Sequence, residues 1–87
     1  MEFKQEFVLK KMMGDTLLVP LVNENSNFNG VITLNDTAAF IVSKLKELDS
    51  VDDVVKSITD EYDVDSEYAK KCTLNLINQL KDIGLLR

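Results

Sequence analysis

The rhythm of apolar and polar positions changes once along this chain, near residue 35. Before that point, short apolar-rich runs are separated by turn residues. Beyond it, apolar positions recur every three or four residues. Phe7-Val8-Leu9-Lys10-Lys11-Met12 predicts a first strand. Met13-Gly14-Asp15 predicts a turn whose glycine accepts a positive φ. Thr16 to Val22 predicts a second strand. Pro20 cannot donate to a ladder and is expected at a bulge, a strand end or a solvent-facing position. Asn23 to Asn29 is polar and predicts a loop with Phe28 as its anchor. Gly30 to Leu34 predicts a short third strand.

The helical part begins at Asn35, a good N-cap, with Asp36 placed at the positive end of the dipole. Ala38, Ile41, Val42, Leu45 and Leu48 form the first apolar stripe. Val51, Val54, Val55, Ile58 and Tyr62 form the second, after a capping box over Ser50-Val51-Asp52-Asp53. Asp63-Val64-Asp65 interrupts the pattern. Asp65 caps a third helix, with Val64 stapled against Ala69. The core face of that helix is Ala69, Thr73, Leu76, Ile77, Leu80 and Ile83. Gly84 closes it, and Leu85 folds back on Leu80. The fold expected is therefore α+β: a three-stranded antiparallel sheet followed by three helices, winged helix-turn-helix-like, in one domain spanning residues 1–87.

Composition narrows the function. Eighty-seven residues suffice for one modest core. No apolar run reaches the roughly 20 residues of a membrane span, and no signal peptide is visible. A single cysteine, Cys72, fits a reducing cytoplasm. The net charge of −5 argues against general nucleic-acid affinity. The absence of histidine removes the commonest proton shuttle and transition-metal ligand. The glycines at 14, 30 and 84 are isolated, so there is no phosphate loop. Asp60, Glu61, Asp63 and Asp65 lack the central glycine and terminal glutamate of a calcium-binding EF-hand, and read as a capped, solvated turn. Cys72 has no histidine to activate it and reads as a small residue beside the core. No cofactor, metal or catalytic constellation is expected.

Binding features remain. In a three-stranded meander the first and third strands are edges. Glu6, Lys10 and Lys11 guard the first; Val31-Ile32-Thr33 carries neither charge nor proline and invites another strand. On the third helix, Tyr68, Cys72, Asn75 and Gln79 recur along one flank at helical spacing, a stripe suited to a groove wall. The opposite flank, with Leu74, Lys70 and Lys81, is the alternative wall.

These residues resemble a known family. Gly30-Val31-Ile32-Thr33-Leu34-Asn35-Asp36-Thr37-Ala38-Ala39-Phe40-Ile41 is similar to the I-x-L-N-x-T-A-A segment of the PqqD-like proteins (coenzyme PQQ synthesis protein D superfamily), also called RiPP recognition elements. Tyr62-Asp63-Val64 resembles the family's turn between the second and third helices. Leu76-Ile77, Leu80 and Gly84-Leu85-Leu86 resemble its closing helix and end. The likeness runs over roughly residues 28–87. Val42 stands where members often carry tryptophan, and Cys72-Thr73 where an acidic residue and valine are common. The resemblance implies a non-catalytic domain that binds the leader of a ribosomally made precursor peptide. The leader adds as a strand to the third strand, lies against the third helix, and is presented to a modifying enzyme such as a radical S-adenosylmethionine enzyme.

The peptide-binding residues expected are therefore Gly30, Val31, Ile32, Thr33 and Leu34 for main-chain pairing, and Tyr68, Cys72, Asn75 and Gln79 for the far wall. Leu76 lies beneath that wall, and Lys71 steers an acidic leader. The expected partners are the leader peptide and the modifying enzyme, without nucleic acid or membrane, the chain being a monomer or weak dimer. The alternatives are a DNA-binding winged helix, for which Lys70, Lys71 and Lys81 are offset by Asp65, Glu67 and Asp82, and a structural subunit that self-associates through its free edge.

Overall fold

The computed structural model describes residues 2–21 and 30–86. The expected loop from residue 23 to 29, with its Phe28 anchor, lies outside the described residues. Strand β1, Phe7–Met12, turns into β2, Asp15–Pro20, through Met13 and Gly14. Both turn residues have positive φ, 51° and 90°. That geometry matches the twist of an antiparallel hairpin. Strand β3, Ile32–Leu34, pairs antiparallel with the other side of β2, so the sheet order is β1-β2-β3.

Two boundaries differ from the sequence expectation. The second strand runs over Asp15–Pro20 rather than from Thr16 to Val22, and the third begins at Ile32 rather than Gly30. Pro20 explains the shortened third strand. Antiparallel partners alternate between pairs that exchange both main-chain bonds and pairs that exchange none. Leu21 N–H donates to the Glu6 carbonyl at 2.8 Å, which fixes the phase. In this register, Val19, Leu17 and Asp15 turn their main-chain groups toward β1; Pro20, Leu18 and Thr16 turn theirs toward β3. One step beyond Leu18–Ile32, Pro20 faces Gly30 with no N–H to give. The ladder stops there, and Pro20 occupies the strand end.

Three helices follow. Helix α1, Asp36–Glu47, starts at Asn35, whose side-chain oxygen accepts the Ala38 N–H at 2.8 Å. Helix α2, Val51–Glu61, starts at Ser50, but the capping box does not form, because the Ser50 side chain makes no cap bond. The Ser50 carbonyl still accepts the Val54 N–H, and Asp52 and Asp53 face the positive end of the dipole instead. Helix α3, Ser66–Asp82, starts at Asp65, whose carboxylate accepts the Tyr68 N–H at 2.8 Å. Removing that cap through Asp65→Ala is expected to cost about 1 kcal/mol, read as a lower denaturation midpoint at unchanged slope. Helix α3 ends in a Schellman motif. Gly84 has φ 85°, Gly84 N–H bonds Lys81 O, and Leu85 N–H bonds Leu80 O.

The sheet presents Phe7, Leu18 and Leu34 to the helices, and these pack with Ile41, Val42, Leu45, Val54, Ile58, Leu76, Leu80 and Leu85. Thr73 is fully buried, and its hydroxyl donates to the Ala69 carbonyl at 2.8 Å, so a polar atom in the core keeps a partner. The N-terminal segment closes against the C-terminus: Phe3 bridges Leu86, and Lys4 N–H bonds Leu85 O at 2.9 Å.

Candidate functional site

The outer edge of β3 is built by alternation. Ile32 and Leu34 spend their main-chain groups on Leu18 and Thr16. Thr33 therefore aims its N–H and C=O groups away from the sheet, and Val31 leads into the strand just ahead of Ile32. Among the described residues no strand pairs with that side. The side chains alternate too: Leu34 is buried and Ile32 packs against the core, while Val31 and Thr33 are exposed. The edge of β1 is different. The same phase turns the Phe7 carbonyl outward, and Lys46 Nζ reaches it at 3.4 Å while lying 4.6 Å over the Phe7 ring. A cation thus occupies one border and leaves the other open.

Beside the open border lies a groove of about 420 Å³ between the start of α1, the end of α2 and one flank of α3. Its floor is apolar, with Ile41, Ile58, Ala69 and Leu76; its rim is neutral and polar, with Asn35, Thr37, Asn75 and Gln79. Asn35 directly follows β3, so edge and groove share a corner. Tyr62 and Val64 close the end beside Tyr68. The Tyr62 ring is fixed edge-on against Phe40, with centroids 5.4 Å apart. Cys72 is half-buried in the α3 wall. Its side chain raises the Tyr68 phenol above its ordinary range, first through hydrogen bonding, next through its electrostatic interaction with the phenol, with desolvation third. Tyr68 is therefore a neutral phenol at physiological pH. No charged side chain lines the groove among the described residues.

Of the residues expected from the sequence, Tyr68, Cys72, Asn75, Leu76 and Gln79 come together in this groove. The alternative α3 flank, with Leu74, does not line it. Gly30, Val31, Ile32, Thr33 and Leu34 lie on or before the adjacent edge and not in the groove lining, with Gly30 and Val31 outside the strand itself. Lys71 is exposed on α3 and does not line the groove. Sequence reasoning missed the wall formed by Asn35, Thr37 and Ala38, together with Tyr62 and Val64. In sequence, Asn35 reads only as a cap, and Ala38, Tyr62 and Val64 as packing residues. The run of polar residues Asn35-Asp36-Thr37 between the apolar Leu34 and Ala38 is the available signal.

The family model of PqqD, coenzyme PQQ synthesis protein D, matches residues 18–86. The chain belongs to the PqqD family. The matched span includes β3, the three helices and every residue lining the groove. No curated protein matches this PqqD-family chain. Two solved structures share its fold. One is TbiB1 in complex with the TbiA(beta) leader peptide, with TM-score 0.76 and 21% identity over 100% of this chain and 95% of that one. The other is a lasso peptide synthetase B1 complexed with the leader peptide, with TM-score 0.75 and 28% identity over 99% of this chain and 95% of that one. Both likenesses extend over β1 and β2 as well, where sequence motifs are weakest.

Proposed function

We propose that this PqqD-family chain binds the leader region of a ribosomally made precursor peptide and presents it to a modifying enzyme, without catalysing a reaction itself. The observation that carries the reading is an edge strand with outward main-chain groups at Thr33 and an exposed Val31 leading into it, set beside a neutral groove walled by α3. An extended peptide that pairs with this edge gains main-chain hydrogen bonds, and its alternate side chains reach the groove. The groove floor takes apolar groups, and the rim amides of Asn75 and Gln79 bond to polar tips or to backbone. Family membership and two structural relatives determined with leader peptides bound support the same reading.

The contacts proposed are Gly30 to Leu34 along the strand and Tyr68, Cys72, Asn75, Leu76 and Gln79 across from it. Lys71 acts on encounter from outside the groove. Asn35, Thr37 and Ala38 join them from α1. The working place is the cytoplasm, where precursor and enzyme meet. No helix among the described residues is long and apolar enough to cross a membrane.

Titration of isotope-labelled protein with the leader of the precursor encoded beside it tests this. Chemical-shift changes are expected in residues 30–38 and 68–79, with the outer helical surface of α2 unmoved. Failure of that leader to bind, or changes centred elsewhere, overturns the assignment. No observation favours duplex DNA binding: the α3 flank that meets the groove is neutral.

A further inference from the structure

Tyr62 is the large side chain at the closed end of the groove, and both its backbone and its ring are held in place. It caps α2, its N–H donating to the Ile58 carbonyl at 2.8 Å and its own carbonyl accepting the Val64 N–H at 3.0 Å. Its ring meets Phe40 edge-on at 85°, with centroids 5.4 Å apart. Phe40 lies on α1 and is half-buried against the core, but it does not line the groove. Lys44, one turn further on, brings its Nζ 5.4 Å from the centre of the Phe40 ring and pairs with Glu47 at 3.6 Å. Phe40 thus touches a cation and the Tyr62 ring at once. The apolar floor is different in kind. Ile41, Ile58, Ala69 and Leu76 are buried core residues, and the packing of three helices sets their places. Tyr62 is only half-buried, and it is the lining residue whose ring is braced by a second ring outside the groove.

We propose that Tyr62 is the end stop of the groove, setting the size of the leader side chain held there, and that Phe40 is its positioning residue. The inference rests on the leader-binding reading and adds a selectivity to it. An apolar pocket discriminates by volume: one methylene too many or too few changes binding about tenfold or more. Overfilling forces side chains off their preferred rotamers, and underfilling forfeits contacts. That discrimination requires a wall that does not yield. The floor is rigid through the core; the end is rigid through the contact between Tyr62 and Phe40. The side chain selected is uncharged, because no charged side chain lines the groove to pair with a buried charge. Removing the Phe40 ring leaves every lining side chain present and frees the stop to turn, so the groove accepts larger guests without losing its floor or its polar rim.

The test uses the labelled leader of the precursor encoded beside this chain, and a set of leaders in which each position in turn is replaced by tryptophan. Fluorescence anisotropy gives their affinities for wild type, Tyr62→Ala, Tyr62→Phe and Phe40→Leu, each checked for a folded circular dichroism spectrum. At the position that meets the stop, tryptophan is expected to weaken binding to wild type about tenfold or more. Tyr62→Ala is expected to remove most of that penalty, and Phe40→Leu part of it. Tyr62→Phe keeps the ring and is expected to retain the full penalty. If Tyr62→Ala does not fold, Tyr62→Leu takes its place under the same criteria. Fluorotyrosine labelling supplies a second readout, because the chain has two tyrosines and both line the groove. The fluorine resonance that Tyr62→Phe removes belongs to Tyr62. In free Phe40→Leu that resonance is expected to shift while the Tyr68 resonance stays in place. An unmoved Tyr62 resonance overturns the positioning role. If the Tyr62 truncation binds every leader of the set with the wild-type ratios, or weakens all of them by one common factor, the end stop is wrong and the peptide reading stands. Tolerance of tryptophan by wild type at every position also overturns it. If wild-type protein binds no leader, the peptide reading itself fails and this inference falls with it.

Discussion

Val31→Pro is expected to weaken leader binding about tenfold or more while leaving the helical circular dichroism spectrum and the unfolding midpoint nearly unchanged. Tenfold corresponds to ~1.4 kcal/mol. A lost main-chain hydrogen bond accounts for ~1 kcal/mol, and the clash of the proline ring with the incoming strand adds to it. The fold tolerates the change because Val31 lies ahead of the paired residues Ile32–Leu34, and proline is accepted at the start of an edge strand. The residue before it is Gly30, which tolerates the conformational restriction that proline imposes on its predecessor. Ile32→Pro supplies the contrast. Its N–H belongs to the ladder with Leu18, so this variant is expected to lose stability as well as binding. Calorimetric titration and a denaturant melt on the two proteins separate the cases. Leader affinity in Val31→Pro within twofold of wild type would refute strand addition at this border.

The second large effect concerns stability. Leu18 lies at the centre of the sheet with no solvent exposure, between Leu9 and Ile32 on the face that meets the helices. Leu18→Ala is expected to cost about 2–5 kcal/mol through lost burial and the cavity left behind. In a domain of this size each kcal/mol lowers the melting temperature by roughly 4–8 °C, so a fall of more than about 10 °C is expected. Leu17→Ala, one residue earlier and on the opposite face, is expected to shift the melting temperature far less. Equal losses in the two variants would contradict the assignment of faces on which the core depends.

Most of the fold was legible because its strongest signals are local. Asn35 and Asp65 each combine a capping side chain with an apolar period that starts immediately afterwards, and both form the expected cap. Gly84 with Leu85 closes α3 as expected. Ser50 shows the limit of such reading. Its spacing is that of a capping box, but nearby carboxylates already serve the dipole, and its hydroxyl is not used. The strand ends were less legible, because the stopping point of β3 is decided by a residue in another strand, Pro20. The candidate site divides the same way. One helix flank, Tyr68 to Gln79, is visible in sequence because helical spacing places it on one line. The facing wall is assembled by tertiary packing from a cap residue, Asn35, a first-turn threonine, Thr37, and a turn between helices. No periodicity connects those positions. The choice between the α3 flanks was equally invisible, since it depends on which side the α1 N-terminus approaches.

The bridge between Phe3 and Leu86 has a consequence for architecture. The first and last described segments therefore lie side by side, held by main-chain bonding at Phe3–Leu86 and Lys4–Leu85. A unit with adjoining termini can be spliced into a surface loop of a larger protein without prying the host's backbone apart. The same leader-holding module is thus mechanically suited to work as a free-standing protein or as an insert within the catalyst it serves.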